Sequence, residues 1–181
     1  MPLVEIVLYV IFGLSLLAFC YIYYYNLFQA SIIRVNEVES DIDNLLRTKY
    51  ELLCRVREIT KGHKEIRKDT MEYLDRLKEE KLSSFQFDQE LAVALNDFYK
   101  IREVYPEIKE NDTFLKINIE LEDIEEQIIA CRDYYNDNIT KYNKLVKSFP
   151  SILVGRIIKQ KEKPFFDGKN MYDSIYNDFK L

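Results

Sequence analysis

Residues 6–25 run for twenty positions without a charge, and only Gly13 and Ser15 interrupt their apolar character. A helix rising about 1.5 Å per residue covers roughly 30 Å over that length, the hydrocarbon thickness of a bilayer. Tyr21, Tyr23, Tyr24 and Tyr25 crowd its far end, where amphipathic rings favour the headgroup zone. The pattern predicts a transmembrane helix over residues 1–25. A cleaved signal peptide fits poorly, because no Lys or Arg precedes the run and no small-residue cleavage site follows it. In Leu17-Ala18-Phe19-Cys20 a bulky Phe19 stands where a lipoprotein signal needs a small residue. A buried core helix fits less well, because every face of the segment is apolar and it is terminal in the sequence.

Beyond Asn26 the apolar positions take up helical spacing. Val35, Val38, Ile42, Leu45, Leu52, Val56 and Ile59 fall on a heptad stripe in which Lys49 is the one polar member. Leu46, Tyr50 and Leu53 widen the stripe to the face of a bundle helix. No Pro or Gly separates it from the apolar run, so one long helix is expected from the bilayer to about Thr60, closing near Gly62.

A second stretch carries Ile66, Tyr73, Leu74 and Leu77, with a turn or kink expected at Ser83-Ser84. Leu91, Leu95, Phe98 and Ile101 then continue to Tyr105-Pro106, where proline disfavours helical geometry in the residue before it. Asn111-Asp112-Thr113 is a polar cluster suited to cap the next helix. That helix has the clearest pattern in the chain. Apolar and aromatic positions from Phe114 to Phe149 alternate spacings of three and four, Asn138 being the strongly polar exception, until Phe149-Pro150 stops them.

These stripes pair either within one chain or as a coiled coil between chains. Gly62 and Tyr105-Pro106 read as hairpin turns, which favours the intramolecular arrangement. The expected fold is all-α: an N-terminal single transmembrane helix followed by an antiparallel bundle of three or four long helices. The expected parts are an anchor at 1–25, a helical bundle at 26–154 and an irregular basic and aromatic tail at 155–181.

Composition narrows the chemistry. The chain has 181 residues, 31% charged, with four Gly, four Pro and no Trp, which excludes collagen-like and turn-rich all-β classes. Its formal charge of −5 argues against nucleic-acid binding. Three Cys and one His are too few for a disulfide scaffold or a Cys/His zinc site, and free thiols are expected. The acidic residues of 120–126 flank Leu121 and Ile124, so they read as a solvated outward face, with a docking surface for a basic partner as the sharper alternative. A ferritin-like metal site needs His on facing helices, and His63 is alone in a turn. Tyr135-Asn136 and Tyr142-Asn143 repeat at seven residues, which returns them to one face. The plain reading is core rings with hydroxyls satisfied at the bundle edge; the sharper one is a polar recognition surface made by the two Asn. Arg156, Lys159, Lys161 and Lys163 serve solubility or touch anionic headgroups.

The chain resembles the LemA family. The likeness runs through Tyr25-Asn26-Leu27, Ser40-Asp41-Ile42-Asp43, Lys49-Tyr50-Glu51-Leu52-Leu53 and Lys61-Gly62. It is strongest at Tyr105-Pro106-Glu107-Ile108-Lys109 and Glu120-Leu121-Glu122, and continues through Arg132, Tyr135-Asn136, Tyr142-Asn143 and Phe149-Pro150. It departs at Cys54, where the family pattern has Pro, at Ile66-Arg67, where a His-Glu pair is usual, and over 71–87, which lacks the family's Ala-rich character. The family-motif positions are Asp41, Asp43, Tyr105, Pro106, Arg132, Tyr135, Asn136, Tyr142, Asn143, Phe149 and Pro150. The resemblance implies a single-pass membrane protein with a short outside N-terminus and a long-helix bundle inside, and no established activity.

These readings converge on a membrane-anchored interaction or scaffold protein of the cell envelope, with no catalytic, cofactor or metal residues. Its partners would be the lipid bilayer and other envelope proteins. The alternative is a regulatory or sensor subunit of a membrane enzyme such as a protease; a hydrolase using carboxylates of 103–126 is a third reading. Arg34 is the one basic residue within twenty positions after the span, and none precedes it, which leans towards an outside N-terminus and a cytoplasmic body.

Overall fold

A computed structural model describes residues 2–60, 73–77, 82–104 and 111–166. Gly62, His63, Ile66, Tyr105, Pro106 and the end of the tail lie outside the described residues. All regular structure among the described residues is helical. Helix α1 spans Pro2–Thr60, α2 Ser84–Val104, α3 Asp112–Lys147 and α4 Ser151–Ile157. Residues 73–77 form a further helical stretch between α1 and α2. The long first helix is thus present as expected, described from Pro2 to Thr60.

The helix starts have identifiable causes. Ser83 and Gln86 form a capping box: the Gln86 amide donates to Ser83 Oγ (3.3 Å) and the Ser83 amide to Gln86 Oε1 (3.1 Å). The Ser83-Ser84 step is therefore a helix start. Asn111 Oδ1 accepts from the amides of Thr113 (3.0 Å) and Phe114 (3.1 Å), capping α3 as the polar cluster predicted. At the other end of α3, buried Ser151 donates to the Leu145 and Ser148 carbonyls (2.7 and 2.8 Å), satisfying backbone oxygens the helix leaves open.

The chain divides into two compact units. The first comprises the described residues of Met1–Glu37 and Tyr135–Phe165. Its core is Phe28, Tyr142 and Val154, flanked by Tyr24, Ile32, Leu145 and Ile158. Phe28 and Tyr142 meet edge to face, with ring centroids 6.3 Å apart. Gly155 on α4 lets the Phe28 ring pack closely: a Cβ there would stand 3.1 Å from Phe28 Cζ, so the ring would have to give by a few tenths of an ångström. The large apolar side chains of residues 3–23 belong to this unit and are exposed, Phe12 and Phe19 by 70% and 69%. This N-terminal part of α1 is long and apolar enough to cross a membrane.

The second unit comprises the described residues of Val38–Tyr134, with Phe166. Here the stripes are buried as the spacing predicts: Val38, Ile42, Leu46 and Leu53 on α1, Leu91 and Phe98 on α2, and Ile117, Leu121 and Ile128 on α3. Contacts give the directions. Asp43 meets Ser84 and Lys49 meets Asp88, so α1 and α2 run the same way. The Phe98 and Phe114 rings meet at a tilt, centroids 5.0 Å apart, and Asp88 pairs with Arg132, so α3 returns antiparallel. The 73–77 stretch lies between, Tyr50 donating to the Leu74 carbonyl (3.1 Å) and Tyr73 to the Glu90 carboxylate.

Candidate functional site

Four ionisable side chains meet inside the second unit, one from α1, one from α2 and two from α3. Lys49 Nζ pairs with the Glu125 carboxylate and lies 3.6 Å from Asp88 Oδ1; Arg132 pairs with the other oxygen of Asp88. The Lys49 and Asp88 side chains are about 1% and 7% exposed, so neither reaches water to any useful extent. Arg132 and Glu125 are half-buried and form the solvent side of the cluster. The Phe166 ring covers the guanidinium, its centroid 5.3 Å from Arg132 Cζ.

Burial pushes the Lys49 pKa below its ordinary value; the bond and charge of Glu125 oppose the shift and the nearby Arg132 adds to it. Burial also pushes the Arg132 pKa down. Two cations face two carboxylates, so the cluster is neutral as a whole. Each pairing joins one helix to another, so a slip of any helix along its axis would separate opposite charges in a poorly solvated interior. The pairings link α1 to α2 and α3, and α2 to α3, an arrangement suited to favouring one helix register.

Beside it, Arg47, Tyr50, Leu77, Leu82 and Phe87 line an open groove of about 620 Å3. At its rim Ser84 Oγ donates to Asp43 Oδ1 at 2.6 Å.

A second polar arrangement lies in the first unit. Asn143 Nδ2 donates to the Lys163 carbonyl (2.8 Å), while the Lys163 amide donates to Asn143 Oδ1 (2.9 Å). The Tyr142 hydroxyl lies 2.7 Å from Gln160 Oε1 and 2.9 Å from the Lys161 carbonyl, two acceptors for its one proton. Burial raises the Tyr142 pKa. Residues 160–163 are thereby strapped to α3, and Lys163 Nζ reaches Asn36 Oδ1 on α1 (3.4 Å).

The LemA family model matches residues 38–175, well over half of the sequence. The chain belongs to the LemA family. No curated protein matches it. The match begins after the apolar part of α1 and takes in both the ionic cluster and the Asn143 strap.

The positions expected to carry the family motif separate into distinct environments. Arg132 is in the cluster, and Asp43 accepts from Ser84. Asp41 is exposed, and its charge, after burial, helps raise the Cys131 pKa. Tyr135 and Asn136 are half-buried; Tyr142 and Asn143 are buried. Phe149 is exposed and Pro150 precedes α4. Tyr105 and Pro106 lie outside the described residues. Two expectations change. Asn143 is no recognition surface, because its amide is used up on the Lys163 backbone. The acidic face of α3 is exposed at Glu120, Glu122, Asp123 and Glu126, but Glu125 turns inward to Lys49. Glu125 follows Leu121 by four residues and precedes Ile128 by three, the spacing that marks the inner face.

Proposed function

We propose that this LemA family protein is a membrane-anchored helical interaction protein of the cell envelope, with its N-terminus outside and its body in the cytoplasm. The observation that carries the reading is the continuity of α1. One uninterrupted helix, Pro2–Thr60, holds an exposed apolar run of bilayer length and then the buried stripe and Lys49 of the bundle. The tyrosines at 21–25 support an interfacial boundary there, and Arg34 supports the orientation. The body offers exposed helix faces, among them the acids of α3, as surfaces for other envelope proteins.

The test is site-specific photocrosslinking from Asp123 and from Arg55, both exposed, with the full chain in native membranes. A reproducible adduct with an envelope protein from one face and not the other supports the reading. Turnover of a substrate by the purified full chain would contradict it.

A further inference from the structure

A groove of about 420 Å3 runs along the first unit between α1 and α3, lined by Leu27, Ala30, Ser31 and Arg34 on one side and Asn138, Lys141, Lys144 and Leu145 on the other. We propose that it binds the headgroup of an anionic phospholipid in the leaflet where the apolar run ends; the proposal rests on the anchor reading given above.

Charge comes first. Arg34, Lys141 and Lys144 are exposed cations, the lining has no carboxylate, and none of the three has an ion-pair partner among the described residues. The chain as a whole is acidic, so three unpaired cations around one concavity stand against its general charge. Position is the second argument. At about 1.5 Å per residue, Leu27 lies roughly 3 Å and Ala30 about 8 Å beyond Tyr25 along α1. The headgroup layer is about 5–7 Å deep on each side of the hydrocarbon, so the apolar end of the groove falls within it. Arg34 lies about 14 Å beyond Tyr25, and side chains on a helix lean towards its N-terminus, here the membrane. The groove is also of the size that small-ligand sites take, about 300–1,000 Å3. Leu27 and Leu145 supply an apolar wall for the glycerol and upper acyl region, and the cations supply the phosphate contacts.

Lipid selectivity of the full chain in phosphatidylcholine vesicles tests this, read by electron paramagnetic resonance from spin-labelled phosphatidylglycerol and spin-labelled phosphatidylcholine. A cation near the surface favours an anionic lipid by about fivefold. The wild type should therefore immobilise the anionic label at least about fivefold better than the zwitterionic one. The triple variant Arg34→Gln, Lys141→Gln, Lys144→Gln should lose that preference, while Arg55→Gln, Lys100→Gln, Lys116→Gln, which neutralises exposed cations of the second unit, should keep it. Free glycerol phosphate should not displace the label; displacement would mean that the groove takes soluble phosphates and would overturn the lipid assignment. Equal loss in both triple variants, or no preference in a wild type that stays with the vesicles, would overturn the groove proposal and leave the anchor standing. A chain washed off the vesicles by alkaline carbonate would overturn both.

Discussion

Lys49 Nζ lies 3.6 Å from Asp88 Oδ1, and both side chains are sealed from solvent between α1 and α2. A lysine on the apolar stripe of one helix thus meets an aspartate on the apolar stripe of another, with Glu125 and Arg132 completing a neutral set. Taking one partner from such a set leaves a buried charge without compensation, which costs about 3–5 kcal/mol, whereas removing an opposite pair together costs far less. Lys49→Met should therefore destabilise the protein by about 3 kcal/mol or more in chemical denaturation. Lys49→Met with Glu125→Leu should recover most of that loss, since Asp88 and Arg132 keep each other. Additive losses in the double variant would mean that the charges are not coupled.

Gly155 and Phe28 test the packing of the first unit. A side chain at 155 would enter the space of the Phe28 ring, which is fully buried against Tyr142. Gly155→Leu should destabilise by about 1–3 kcal/mol through overpacking. Adding Phe28→Ala opens room, so the double variant should be more stable than the sum of the single changes, as thermal unfolding would show.

Asn143→Ala removes both bonds to the Lys163 backbone. Loss of such paired, part-buried bonds costs about 1–3 kcal/mol. Hydrogen exchange should report it locally: the Lys163 amide should exchange at least about fivefold faster, while amides in the 117–128 core of α3 keep their protection. Uniform acceleration through α3 would instead show that Asn143 holds the whole helix.

Tyr142 gives a pH signature. Its phenol pKa is raised by burial, so the folded state holds the proton more tightly than the unfolded chain. The stability this contributes is full below the unfolded value of about 10 and is lost as pH rises from there through the folded value. The stability gap between wild type and Tyr142→Phe should narrow above pH of about 10, measured by denaturant titration at a series of pH values. A gap that widens there would reverse the assignment.

Much of this was legible in the sequence because burial in a helical protein is periodic. The stripes of α1, α2 and α3, the Asn111 cap and the length of α1 follow from spacing and capping chemistry alone. Lys49 was visible as the polar break in its stripe, and Asp88 stands one turn before Leu91 on the stripe of α2. That these two interruptions face each other is a tertiary fact, since nothing local says which turn of α2 packs beside residue 49. Glu125 was hidden by its neighbours: in a run of acids the outward majority masks the member whose spacing turns it in. The strap at 160–163 was illegible for a different reason. It has no periodicity of its own and is ordered by side chains of α3 reaching its backbone.

The exposed acids of α3 bear on the body's orientation. A single Cys replacing Asp123, in a chain with Cys20, Cys54 and Cys131 replaced by Ser, should resist a membrane-impermeant maleimide in intact cells and react after lysis. Labelling before lysis would put the body outside.

The most direct measurement of the account is alkaline carbonate extraction of membranes from cells making the full chain, beside a variant with Leu8→Arg, Ile11→Arg and Leu14→Arg. Charges at the centre of a bilayer span disfavour insertion by about 2.5–3.5 kcal/mol each. The wild type should stay in the membrane pellet and the variant should pass to the supernatant as a folded helical protein. Release of the wild type into the supernatant would contradict the anchor on which the functional reading stands.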